Sequence, residues 1–136
     1  RLNRKGVAQV NQVGYILRSE STTFDQVIAS GALRTRETAT IMRHFIHSPV
    51  LYDDDLYLTS ASTILSTITK VGNGKNILYV GHNNGISDFV NLMTGENLLL
   101  STSMLVEISF NFDNWQMISA GTGNIERILE PDVCSF

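Results

Sequence analysis

The chain has 136 residues, 43% of them hydrophobic, which is enough for one domain around a single continuous core. Ten basic against thirteen acidic residues give a net charge of -3, which argues against broad nucleic-acid binding, since that usually requires a basic face. No apolar run approaches the ~20 residues that span a bilayer, and Arg1-Leu2-Asn3-Arg4-Lys5 lacks an apolar signal segment, so neither nucleic acid nor membrane is expected as a partner.

The single cysteine, Cys134, cannot form an internal disulfide, and no Cys/His cluster has the spacing of a zinc site. A soluble protein of a reducing cytoplasm, without a bound metal, is the expectation. In chain order, Val7, Val10, Gly14 and Leu17 share one face of a helix predicted over about 4 to 18. Phe24 to Ala29 reads as a short strand broken by Ser30-Gly31. Thr38, Ile41, Met42 and Phe45 form the stripe of a second helix predicted to end near Ser48-Pro49. Val50-Leu51-Tyr52 follows as a strand. Ser60 can cap a third helix with Ala61, Ile64, Leu65, Ile68 and Val71 inward, closed by Gly72-Asn73-Gly74.

Ile77 to Val80 has the length and branched character of a buried strand, and Ile86, Phe89, Val90 and Met93 then recur at helical spacing. After Gly95 the period changes to two. Met104, Val106, Ile108 and Phe110 alternate, as do Trp115 and Met117 after the turn at Asn111-Phe112-Asp113-Asn114, predicting an antiparallel hairpin. Strands alternating with helices and finished by a hairpin define a three-layer α/β/α domain, residues 1–136, with a mostly parallel sheet.

Two strand-to-helix corners carry polar groups of chemical interest. His82 stands where the strand 77–80 gives way to a helix, the position at which open α/β sheets gather ligands and helix amides favour an anion. A lone histidine at a strand end is more often structural. Arg34, in the first turn of the second helix, changes that balance. A cation there is opposed by the helix dipole unless it shares an anion with the amides, and a guanidinium fork can hold two phosphate oxygens. His44 and His47, at the far end of that helix, read as polar groups suited to its C-terminal dipole rather than metal ligands. Asp53-Asp54-Asp55 reads as a solvated turn and Trp115 as a packing residue.

Together the two corners resemble the histidine phosphatase superfamily, also called phosphoglycerate-mutase-like, and most closely its small phosphohistidine-phosphatase branch. Ser30-Gly31-Ala32-Leu33-Arg34-Thr35-Arg36-Glu37-Thr38-Ala39 resembles that branch's Ser-Pro-x-x-Arg-Ala-x-x-Thr-Ala, with Arg34 at the phosphate-binding arginine. Gly81-His82-Asn83-Asn84-Gly85 is similar to Gly-His-Asn-Pro-Gly, with His82 at the second catalytic histidine and Asn83 beside it as a substrate-binding residue. Leu2-Asn3-Arg4-Lys5-Gly6, Leu56-Tyr57-Leu58-Thr59-Ser60 and Asn91-Leu92-Met93-Thr94-Gly95 match further family segments in the same order.

The resemblance implies a phosphatase acting through a phosphohistidine enzyme, without metal or other cofactor, on a phosphorylated protein or a small phosphate ester. It implies Arg34 and His82 as catalytic and phosphate-binding groups, and sets Asp53, Asp54 and Asp55 where the wider family often carries its proton donor. One departure is large. The family's N-terminal strand ending in Arg-His-Gly or Arg-His-Ala, which supplies the nucleophile, has no counterpart in residues 1–136. By family length and usual strand-plus-loop sizes, roughly twenty preceding residues are expected, and without them the sheet would be left with a central gap. The alternatives are a domain that has lost its nucleophile and binds a phosphorylated partner, and a small-metabolite phosphatase.

Overall fold

The computed structural model describes residues 2–56, 60–81, 83–101 and 103–131, the side chains of residues 55, 83 and 84 excepted. Helix α1 (Arg4–Ser19) starts where the Asn3 side chain accepts a 2.8 Å hydrogen bond from the Gly6 N–H, satisfying one orphan amide of the first turn. Its buried face is Gly6, Val10, Val13, Gly14 and Leu17. Val7, assigned to that face from the sequence, is 38% exposed, because Gly6 rather than Val7 lies in line with Val10 and Val13.

Strand β1 (Gln26–Ser30) is buried throughout and begins two residues later than expected. Gln26 closes its lower end, its amide donating to the Val71 carbonyl and accepting from the Asn73 N–H. Helix α2 (Leu33–Met42) stops well short of Ser48-Pro49. The chain turns at Arg43 to Phe45, with His44 and Phe45 amides bonded three residues back. That turn drops Ile46 into the core and seats the Phe45 ring against α1 at Gly14, where any Cβ would overlap the ring.

Strand β2 (Val50–Asp53) leads through a short 3-10 turn (Asp54–Leu56) towards α3 (Ala61–Val71). Ser60 caps α3 by accepting from the Thr63 N–H, and Ile64 and Ile68 are buried with Ala61, Leu65 and Val71 packed around them, the face expected. Gly74 follows with φ of +73°, a left-handed conformation that favours glycine. Strand β3 (Ile77–Val80) and helix α4 (Asn83–Thr94) complete the alternating part.

The three strands form a parallel sheet in the order β2-β1-β3. Successive side chains of β1 point to opposite faces. Val27 therefore joins the core that α1 and α2 supply with Val10, Val13, Leu17 and Met42. Ile28 joins the core that α3 and α4 supply with Ile64, Ile68, Phe89 and Met93. The result is three layers, α1/α2, sheet, α3/α4.

Strands β4 (Leu105–Phe110) and β5 (Gly123–Leu129) form a separate antiparallel pair. The hairpin is as expected, but its second arm is not. Trp115 and Met117 lie in a 3-10 turn, with the Trp115 indole donating to the Gly74 carbonyl at 2.8 Å, its ring edge-on to Phe110, and Met117 55% exposed. Ile118 is the buried residue there, and the strand resumes only at Gly123. Across the molecule, Arg127 forks onto both oxygens of Glu20 at 2.8 and 2.6 Å and reaches Glu107 at 2.8 Å, fastening the hairpin to the end of α1.

Ile64 is 1% exposed and central to the α3/α4 core. Ile64→Ala should cost about 2–5 kcal/mol in a denaturant titration. Two exposed carboxyls contribute to the loss of stability in acid. The Arg127 guanidinium holds Glu20 below its ordinary value, and the amides of Asn76 and Lys75 do the same for Asp25. Depressed values mean stability that is fully present above the unfolded pKa, near 4, and lost as pH falls through the folded values. The thermal midpoint should therefore drop below about pH 4. Asp25→Asn should lower it at pH 7 and flatten that acid slope.

Candidate functional site

Strand register decides where the polar residues meet. Ala29 lies opposite Tyr52 on one side and Val80 on the other, so the carboxyl ends of β1, β2 and β3 finish level. The segments that leave them, Gly31 into α2, Asp54 into the 3-10 turn and Gly81 into α4, rise from one edge of the sheet. Ligands of open α/β sheets gather at such an edge.

Arg34 occupies the first turn of α2. The helix begins at Ala32, whose backbone is extended and to which no side chain among the described residues gives a cap. The first-turn amides are left for water or an anion. Arg34 is exposed, and among the described residues its side chain makes no ion pair or hydrogen bond. Arg34, Thr35 and Thr38 line a cavity of about 1570 Å³ whose wall also includes Gly81 and Gly85, the glycines on either side of His82. His82 itself lies outside the described residues, as do the side chains of Asn83 and Asp55 and all of Cys134.

The same cavity runs between β3 and β4, lined by Ile77 to Val80 on one wall and Met104 to Phe110 on the other, with Val10, Val13 and Leu17 of α1 below. Among the described residues the outer edge of β3 has no strand partner, and β4 pairs only with β5.

Gly81 entered the sequence comparison only as the first residue of the Gly81–Gly85 motif, and Tyr79 was given no role of its own. Burial first, and the Asp53 carboxylate second, push the Tyr79 hydroxyl above the ordinary tyrosine value, so it stays protonated. The backbone at Gly81 passes so close that a Cβ would lie 2.8 Å from Tyr79 Cε1 and 3.2 Å from its oxygen. Glycine is thus needed where the chain turns from β3 towards His82. The Tyr79-Val80-Gly81 run carried that signal only as a small residue after a large one.

Asp53 ends β2 half-buried, and Asp54 is 87% exposed, 4.0 Å from the Arg36 guanidinium. His44 and His47 lie exposed beyond the far end of α2, and the described residues contain no group of three or more acidic, histidine or cysteine side chains able to hold a metal. No described helix is long and apolar enough to cross a membrane.

Comparison with known proteins bears on the fold and on the first part of the chain. Residues 1–57 match the model of the histidine phosphatase superfamily (branch 1). An uncharacterised protein of Mycobacterium leprae (strain TN) is 31% identical over 96 residues, which cover 70% of this chain and 58% of that protein, so the chain spans less than two thirds of the relative's length. Among solved structures, a provisionally named phosphohistidine phosphatase SixA from Nakamurella multipartitia superposes with a TM-score of 0.86, covering 96% of this chain and 84% of its own at 21% identity. Its counterpart from Agrobacterium tumefaciens gives 0.81 at 22% identity, over 96% and 82%. A protein histidine phosphatase SixA complexed with tungstate gives 0.78 at 16%, over 96% and 83%. At such identities the likeness is one of fold. The first 57 residues thus carry the pattern of the histidine phosphatase superfamily, on a fold shared with its SixA-type structures.

Proposed function

We propose that the chain forms most of a phosphatase that hydrolyses a phosphoryl group, phosphohistidine on a protein, through a phosphohistidine enzyme. The observation that carries this reading is that Arg34 lines the same cavity as Gly81 and Gly85, and that the two motifs leave strands β1 and β3 whose carboxyl ends finish level. The family match over residues 1–57 and the SixA-type fold support it.

In the reaction, a histidine nitrogen attacks phosphorus in line, forming an N–P bond as the bond to the leaving group breaks. Arg34, the first-turn amides of α2, His82 and Asn83 would share the charge that spreads over the three equatorial oxygens. Water then attacks the phosphoryl-enzyme and releases inorganic phosphate. A phosphohistidine already protonated on its other ring nitrogen departs as neutral imidazole, a good leaving group, and that step then needs no proton from Asp53, Asp54 or Asp55.

The nucleophile would come from a strand ahead of Arg1, running through the cavity between β3 and β4. Among the described residues the two edges that line this cavity have no strand partner there, and with apolar side chains of α1 beside them they suit one extended segment that would join both sheets. Leu2, whose N–H donates to Glu37 at 3.0 Å, also lines this cavity.

The test is the full-length protein with the residues encoded ahead of Arg1. An Arg-His-Gly or Arg-His-Ala motif is expected there. His82→Ala and Arg34→Ala should each lower kcat/KM for a phosphohistidine peptide roughly 100- to 1,000-fold, with phosphoserine and sugar phosphates poor substrates. If no such motif is encoded and phosphate release stays at background while phosphopeptide binding persists, the protein is a binding domain instead.

A further inference from the structure

Arg36 lies two residues beyond Arg34 and so faces away from it on the helix. Sequence reasoning gave it no role. It nevertheless makes three contacts that converge on the start of α2. Its Nε–H donates to the Gly31 carbonyl at 2.8 Å, its guanidinium stacks 4.4 Å from the centre of the Tyr52 ring, and its Nη2 lies 4.0 Å from Asp54. Gly31 is pressed against Asp54 so closely that a Cβ there would overlap the carboxylate.

We propose that Arg36 is a positioning residue for the phosphate site, a clamp that fixes the Ser30-Gly31-Ala32 corner to the end of β2 and so sets where Arg34 and the first-turn amides of α2 point. This rests on the reading of Arg34 as the phosphate-binding arginine.

The corner needs such a device. The Ala32 side chain offers no cap, and the bond from the Ala32 N–H to the buried Ser30 hydroxyl is long, at 3.4 Å. The peptide joining Gly31 to Ala32 is planar and trans, so its C=O and N–H point in opposite directions. Holding the Gly31 carbonyl against Arg36 keeps the Ala32 N–H turned to Ser30 and away from rotation. Only arginine supplies all three contacts at once, an Nε–H donor, a flat face for the ring and a charge beside Asp54. The ion pair itself adds little, since both side chains are largely exposed. The carbonyl bond and the ring contact hold the corner.

Full-length protein is measured for inorganic phosphate binding by calorimetry, for KM and kcat on a phosphohistidine peptide, and for thermal midpoint. Arg36→Ala should weaken phosphate binding and raise KM roughly tenfold to a hundredfold, with a midpoint close to wild type. Arg36→Lys should recover only part of this. Tyr52→Leu, which removes the ring from the other side of the clamp, should reproduce the Arg36→Ala defect in weaker form, and the double variant should lose less than the sum of the two. Phosphate affinity and KM unchanged in both Arg36→Ala and Tyr52→Leu, with Arg34→Ala defective, would overturn the clamp alone. An Arg34→Ala variant that binds phosphate normally would overturn the site reading beneath it.

Discussion

The organisation of this domain depends on β1 being paired on both sides. Its five residues are buried, its backbone bonds go to β2 and β3, and its alternate side chains feed two separate cores. A strand so enclosed cannot slip by one residue without exchanging Val27 and Ile28 between the cores. The register that levels the strand ends at Ala29, Tyr52 and Val80 is therefore fixed by packing at a distance from the site. The candidate site at the edge inherits its geometry from that constraint.

Much of this was legible in the chain. Apolar runs bounded by Gly, Ser and Pro marked the parallel strands, and the period of the third and fourth helices marked their buried faces, down to Ile64, Ile68, Phe89 and Met93. The Ser60 cap is where its residue type suggests. The errors have physical sources. Thr38 to Phe45 keeps helical spacing after α2 has ended, because the turn at 43–45 still directs Phe45 and Ile46 inward. Trp115 and Met117 alternate like a strand, but the indole bond to Gly74 settles the segment as a 3-10 turn. A period of two over three residues cannot distinguish the two states.

The candidate site divides in the same way. Arg34 was accessible from the sequence because it sits at a predicted helix start, where a cation is out of place without an anion. Arg36 and Tyr79 were not, since their contacts are with Gly31, Tyr52 and Gly81, which come together only through the parallel register. Tertiary neighbours of this kind leave no periodic trace in a single sequence. Among the described residues the cavity between β3 and β4 is likewise a tertiary feature, since its two walls come from strands of separate sheets.

The fork of Arg127 onto Glu20 joins positions 107 apart in the chain, from the end of the first helix to the last strand. Closing so long a loop is entropically little worse than closing one half its length, so the separation in sequence is no obstacle to a contact that ties the two ends of the fold together. Among the described residues the hairpin shares no strand pairing with the parallel sheet, and the fork gives its last strand a direct tie to the first helix.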